Sequence, residues 1–170
     1  ALHLSCHSFT PELHGIERTA DVGLLYDPRR ASEARLCLAW QRELRAADPD
    51  CGVEVLIPDF KGRKESPRAS LATVIAERPD VLAHNLETVR RLHPAIRPGF
   101  GYDASLQLLR WAKELRGDQV TKSNLIVGMG ETEDEVYEAM GDLRAAGVDV
   151  LTIGQYLQPS VSWHLPVDRW

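Results

Sequence analysis

From Val53 onward the chain alternates short β-branched runs with amphipathic helical stretches, and this alternation restricts the fold more than any other feature. The runs are Val53–Ile57, Val81–Ala83, Asn124–Val127 and Val150–Ile153. Each gap between them holds at least one helix pattern, the mark of βαβ units and a parallel sheet. The helices are punctuated. Ser66 before Pro67 reads as an N-cap with proline at the first helical position. Leu71, Val74 and Ile75 give that helix its apolar face. A short helix is expected over Leu86–His93, ended by Pro94. Asp103 is placed to cap a third, with Leu108, Trp111, Ala112 and Leu115 as its stripe and Gly117 at its end. Thr132 and Glu135 form a capping box for a fourth, with Val136, Met140 and Leu143 expected on its buried side. Before Val53, Leu36, Trp40 and Leu44 recur on one face of a helix over residues 31–47. Residues 1–30 show weak periodicity and read as a poorly ordered terminus.

In parallel α/β proteins the site lies at the carboxyl ends of the strands. Those ends read Pro58-Asp59-Phe60-Lys61-Gly62-Arg63, His84-Asn85-Leu86-Glu87, Gly128-Met129-Gly130-Glu131-Thr132 and Gly154-Gln155-Tyr156-Leu157-Gln158-Pro159. Any one cluster is accounted for by a turn or a helix cap, but four in register point to a polar cleft. The cleft is not built for phosphate. Glu133 stands where a dinucleotide fingerprint needs its third glycine, and no Gly-Lys-Ser/Thr follows. The run Glu131-Thr132-Glu133-Asp134-Glu135 suits a helix dipole and repels a phosphate at the same place. Schiff-base chemistry finds no support. Lys122 starts a strand and is expected at the bottom of the sheet, and Lys61 sits in a loop beside Arg63. No G-x-S-x-G elbow is present, and His84 alone is thin evidence for a general base.

Composition narrows the class. The 170 residues carry 20 Lys+Arg against 25 Asp+Glu, a net charge of −5, which disfavours a nucleic-acid partner. The length falls short of a complete (β/α)8 barrel, which takes roughly 200 residues at minimum. Cys6, Cys37 and Cys51 are too scattered for a disulfide framework and read as thiols of a reducing compartment. His3, His7 and His14 surround Cys6 without a recognised metal-ligand spacing. The first twenty residues lack the apolar core of a secretory signal, and no apolar run approaches the ~18 residues of a membrane span. The expected location is the cytoplasm, with no membrane partner.

At the strand ends the sequence resembles lipoyl synthase, of the radical S-adenosylmethionine (SAM) superfamily. The strings that carry the resemblance are VEVLIPDFKGR at Val53–Arg63, PDVLAHNLETV at Pro79–Val89, GYDASL at Gly101–Leu106, TKSNLIVGMGETEDEV at Thr121–Val136, DLRAAGVDVLTIGQYLQPS at Asp142–Ser160 and HLPVDRW at His164–Trp170. The resemblance implies an α/β fold: a partial parallel (β/α) barrel of radical SAM type. About four of its six βα units would be present, at residues 53–170, after a divergent N-terminal segment with one helix at residues 1–52. It implies a sulfurtransferase that inserts two sulfurs, at C6 and C8, into a protein-bound octanoyl group. The cofactors implied are SAM and two 4Fe–4S clusters, and the partner is an octanoylated lipoyl-carrier domain.

Residues carry over singly. Asn124–Glu131 is similar to the G-x-I-x-G-x-x-E pattern of radical SAM proteins, with Ile126, Gly128 and Glu131 matching and Asn124 replacing the first glycine. Asn85 and Glu87 look like contacts to the ribose or methionine moiety of SAM. Gln155, Tyr156 and Leu157 resemble the segment flanking the adenine. SAM carries a sulfonium and an ammonium and no phosphate, in agreement with the acidic cleft. The cluster motifs C-x3-C-x2-C and C-x4-C-x5-C are absent, and Cys6, Cys37 and Cys51 do not replace them at their spacings. The expectation is therefore an incomplete, inactive lipoyl synthase-like fragment. The alternative is a non-catalytic remnant that binds SAM or a lipoyl domain. An open sheet edge at Val53–Ile57 is expected to promote self-association.

Overall fold

The architecture comes from a computed structural model, which describes residues 5–8, 12–13, 16–17, 22–25, 31–50, 52–60, 66–158 and 166–167. Four short strands come first: β1 (Ser5–Ser8), β2 (Glu12–Leu13), β3 (Ile16–Glu17) and β4 (Val22–Leu25). Then follow α1 (Ala31–Ala47), β5 (Val53–Leu56), α2 (Pro67–Ala76), β6 (Val81–Ala83), α3 (His93–Ile96) and α4 (Tyr102–Leu115). The chain continues through β7 (Val120–Val127), α5 (Glu133–Ala145) and β8 (Val150–Gln155). The main sheet runs β1-β4-β5-β6-β7-β8, and β2 and β3 form a separate two-stranded ribbon. Every pairing from β4 to β8 is parallel, and β1 is antiparallel to β4. The α/β fold with a parallel, partly closed sheet is thus as expected.

Three expectations change. The edge at Val53 is not open, because β4 pairs with β5 from Val22↔Val53 to Leu25↔Leu56. Val22-Gly23-Leu24-Leu25 is itself a short apolar run, enough to supply a strand, so the segment before residue 30 is not structureless. Leu86–His93 is not a helix: Glu87 bridges to Leu125, and only His93–Ile96 winds into one short turn. Leu86 is drawn fully into the core and its N–H bonds the Ser123 hydroxyl, a non-helical solution for that backbone. The apolar stripe of α1 is also rotated. Cys37 and Gln41 are buried, Trp40 packs on the core, and Leu36 is exposed.

Alternation along the strands gives the sheet two different faces. Val53 and Val55 of β5, Leu82 of β6 and Leu125 and Val127 of β7 point toward the helices. There they meet Leu71, Val74 and Ile75 of α2, Leu106, Leu108 and Leu109 of α4, and Val136 and Leu143 of α5. Leu71, Leu82 and Leu109 are completely buried, each stabilising by roughly 1.5–3 kcal/mol. Met140, expected on the buried side of α5, is instead exposed.

The helix ends follow the sequence signals. Ser66 Oγ accepts from Ala69 N–H, and Pro67 opens α2. Thr132 and Glu135 form the reciprocal capping box of α5. For α4 the cap is Gly101, two residues earlier than expected, and Asp103 lies in the first turn, paired with Arg90. At the amino ends of the strands, Asp80 accepts from Val53 N–H and from Arg45, and Asp149 accepts from Thr121 N–H and Lys113. These contacts tie the bottom loops to the sheet, leaving the carboxyl ends as the functional side.

Candidate functional site

The face away from the helices is polar. Glu54 of β5 and Lys122 of β7 point there, on either side of β6, and Lys122 Nζ donates to both Glu54 oxygens at 3.0 and 2.7 Å. Val81 and Ala83 of β6 lie between them in register, and the small Ala83 side chain leaves room for the pair to meet. Lys122 is therefore a wall residue, not a group at the bottom rim. Two residues further along β7, Asn124 Nδ2 donates to Glu87 Oε2 at 3.3 Å, and Asn124 Oδ1 is buried with no partner among the described residues. Ile126 follows on the same face and is half-buried.

Glu87 reaches this place through a detour. After His84, whose N–H still bonds Lys122 O, the backbone leaves β7 for two residues and rejoins it at Glu87, whose N–H bonds Asn124 O and whose carbonyl accepts from Ile126 N–H. Glu87 takes φ 75°, a left-handed conformation that costs a non-glycine residue energy and here presents its carboxylate to the polar face. Asn85, half-buried, lies within the detour, and its carbonyl accepts from Arg97.

Arg97, at the end of α3, also pairs with Asp59 beyond β5, so one guanidinium joins the ends of β5 and β6. His84 lies behind this clamp, fully buried against the edge of Phe100. Its Nδ1 is 3.2 Å from Ile57 O, which can only accept, so Nδ1 carries the proton. Nε2 is then a buried acceptor with no hydrogen-bond partner among the described residues, 4.0 Å from Asp59 Oδ1. Burial, reinforced by the nearby Arg97 charge, lowers the His84 pKa to about 4. It is a neutral structural histidine at pH 7.

The β7 end is a closed loop. Gly128 and Gly130 have φ 99° and 97°, where a side chain would be strained. Glu131 folds back so that its oxygens accept from Gly128 N–H and, at 2.9 Å, from Met129 N–H. With 8% exposure, this carboxylate holds the loop's shape. Arg91 fastens the loop to α5, donating to Gly130 O and to Glu135. Those hydrogen bonds, from Arg91 first, hold the Glu135 carboxyl at about 2. At β8, Tyr156 N–H bonds Val127 O, Gln155 lies in register with Val127 on the helix side, and Leu157 is 79% exposed. The structure thus brings Glu87 and Ile126 together with Asn124 on the polar face. Gly128 and Glu131 shape the adjoining loop, Asn85 borders it, and Gln155 and Leu157 face elsewhere. Sequence reading passed over Arg91, Arg97 and the Glu54–Lys122 pair. Arginines in loops carry no periodic signal, and a cross-strand pair is visible only once the register is known.

Lipoyl synthase from Rubrobacter xylanophilus is 52% identical over 129 residues, 76% of this chain and 39% of the relative. Lipoyl synthase from Acidothermus cellulolyticus is 47% identical over 156 residues, 92% of this chain and 46% of the relative. Over the matched residues the chain is closely similar to lipoyl synthases. It spans less than half the length of these relatives. No protein-family model matches it. Among solved structures, Streptococcus suis SuiB superposes with a TM-score of 0.60 at 14% identity, over 87% of this chain and 32% of that protein. Coproporphyrinogen III oxidase (HemN) from Escherichia coli, described as a radical SAM enzyme, gives 0.59 at 16% identity, over 80% and 32%. These likenesses bear on the fold, which is that of a radical SAM barrel.

The family's cofactors fit unequally. SAM, rich in hydroxyl and ammonium donors, suits the acceptor carboxylate of Glu87. A 4Fe–4S cluster does not fit the residues present. Cys37 is buried in the helix-side core, and among the described residues no group of three His, Cys, Asp or Glu could hold a metal ion. Cys51 and the side chains of Cys6, His3, His7 and His14 lie outside the described residues. Among the described residues, no helix is long and apolar enough to cross a membrane.

Proposed function

We propose that this chain is the SAM-facing part of a lipoyl synthase-like sulfurtransferase, located in the cytoplasm. The reaction of the whole family member would place two sulfurs on a protein-bound octanoyl chain, with an octanoylated lipoyl-carrier domain as partner. The observation that carries the proposal is the 52% identity to a lipoyl synthase over 129 residues, a stretch that includes the polar strand ends. In the whole family member, bound SAM would supply radical chemistry. The chain's own residues bind and orient. Glu87 offers a carboxylate to hydroxyl or ammonium donors, with Asn85 beside it. Ile126 gives an apolar wall, and Gly128 and Glu131 keep the following loop close. Tyr156, tied by its N–H to Val127 O, borders the far side.

This chain does not insert sulfur by itself. Its three cysteines, Cys6, Cys37 and Cys51, form neither of the family's cluster motifs, and Cys37 is buried in the helix-side core. Anaerobic reconstitution with iron and sulfide is expected to leave the purified protein without stoichiometric 4Fe–4S absorption. Such a cluster, or sulfur insertion into an octanoylated carrier, would refute the inactivity. Calorimetry with SAM tests the binding role: weak, millimolar-range binding is expected, and absence of heat at that concentration removes it.

A further inference from the structure

We infer that Asn124 holds the polar site in a self-occupied state, so that this chain's affinity for a donor-bearing nucleoside such as SAM is set by displacement of an internal hydrogen bond. The inference rests on the proposed SAM-binding role of Glu87. Asn124 lies on the polar face of β7, between Lys122 and Ile126. Its Nδ2 donates to Glu87 Oε2 at 3.3 Å, taking up one of the two carboxylate oxygens that a ligand hydroxyl or ammonium would use. Its Oδ1 is buried and unpartnered among the described residues. The amide therefore lies where it satisfies Glu87 and leaves one of its own groups unmet, an arrangement that costs free energy. The Glu87 backbone is held in place: its N–H and carbonyl are pinned to Asn124 O and Ile126 N–H. The Asn124 amide is the movable partner. A ligand that donates to Glu87 Oε2, or to both carboxylate oxygens, has to turn it aside or occupy its place. The sequence departs from the radical SAM pattern at this same position, where asparagine stands in for glycine.

The test compares this chain with Asn124→Ala and Asn124→Gly in calorimetric titrations with SAM. Alanine keeps a side chain suited to the strand, and glycine opens the most space. Removing about one net hydrogen bond that the ligand must replace is expected to tighten binding about fivefold in Asn124→Ala. The thermal melt guards against unfolding. Equal or weaker binding by both variants overturns the inference while leaving the SAM site standing. Binding by none of the three proteins overturns the SAM reading, and the inference with it. A measurement without ligand separates the two cases. The Asn124 side-chain amide protons should exchange slowly with solvent and lose that protection in Glu87→Ala. Fast exchange in the unaltered chain refutes self-occupation directly.

Discussion

The two faces of the parallel sheet solve opposite problems. Toward the helices, Val53, Val55, Leu82 and Leu125 are at most 1% exposed and pack against helices of the same chain. On the other face, Glu54, Lys122, Glu87 and Asn124 meet each other in an ion pair and a hydrogen bond. The first face is finished by the chain's own apolar residues. The second is held by polar pairs that a ligand can join or displace. The lesson is that stability and binding in this fold are divided by strand parity, one residue to each side.

The division makes its largest prediction on the helix side. Leu82→Ala removes a completely buried side chain between α2 and α4 and should cost about 2–5 kcal/mol in denaturant unfolding. A loss below about 1 kcal/mol would mean that the core is not packed as described.

His84, a fully buried titratable group, should make stability depend on pH. Its folded pKa, about 4, lies below the unfolded value near 6.5. Between these values the unfolded chain binds the extra proton, so stability present above pH 6.5 is lost as the pH falls toward 4. The full effect is roughly 3 kcal/mol, read from unfolding curves at pH 7 and pH 4. His84→Asn should flatten that interval. Glu135 acts in a lower window: its stabilising pairing with Arg91 is present above about pH 4.5 and fades as the pH falls through about 2.

The polar face should respond differently from the core. Lys122→Met leaves the Glu54 carboxylate, 14% exposed, without its ammonium and should cost about 1–3 kcal/mol. The double variant Glu54→Leu/Lys122→Met should recover most of that loss, as when a buried ion pair is replaced by apolar packing. A double variant as unstable as the single would place the pair's role in shape rather than in charge. The smallest effect is at a helix end. Thr132→Ala removes the α5 cap and should cost about 1 kcal/mol, measured by thermal melting.

What the sequence made legible was what repeats or caps. The β-branched runs became β5 to β8, and Ser66, Pro67, Thr132 and Glu135 marked their helices as read. Glu87 was readable as a candidate because it follows a strand, and Ile126 because it matches a family pattern; both lie on the polar face. Three things were hidden because they depend on long-range pairing. Val22–Leu25 is too short to stand as a strand until β5 provides a partner. Leu86–His93 has helical spacing, but burial of Leu86 and the Glu87 bridge to β7 outweighed it. The role of Glu131 in closing its own loop depends on the left-handed turns at Gly128 and Gly130, which sequence spacing does not display.

The central claim, that the helix-free face at the ends of β6 and β7 is the SAM-binding surface, is most directly tested by a backbone and side-chain NMR titration with SAM to millimolar concentration. The account predicts shifts concentrated at residues 85–87 and 124–130, with the Asn124 side-chain amide among the largest. Shifts confined to the helix side, or none at all in those two segments, would contradict it.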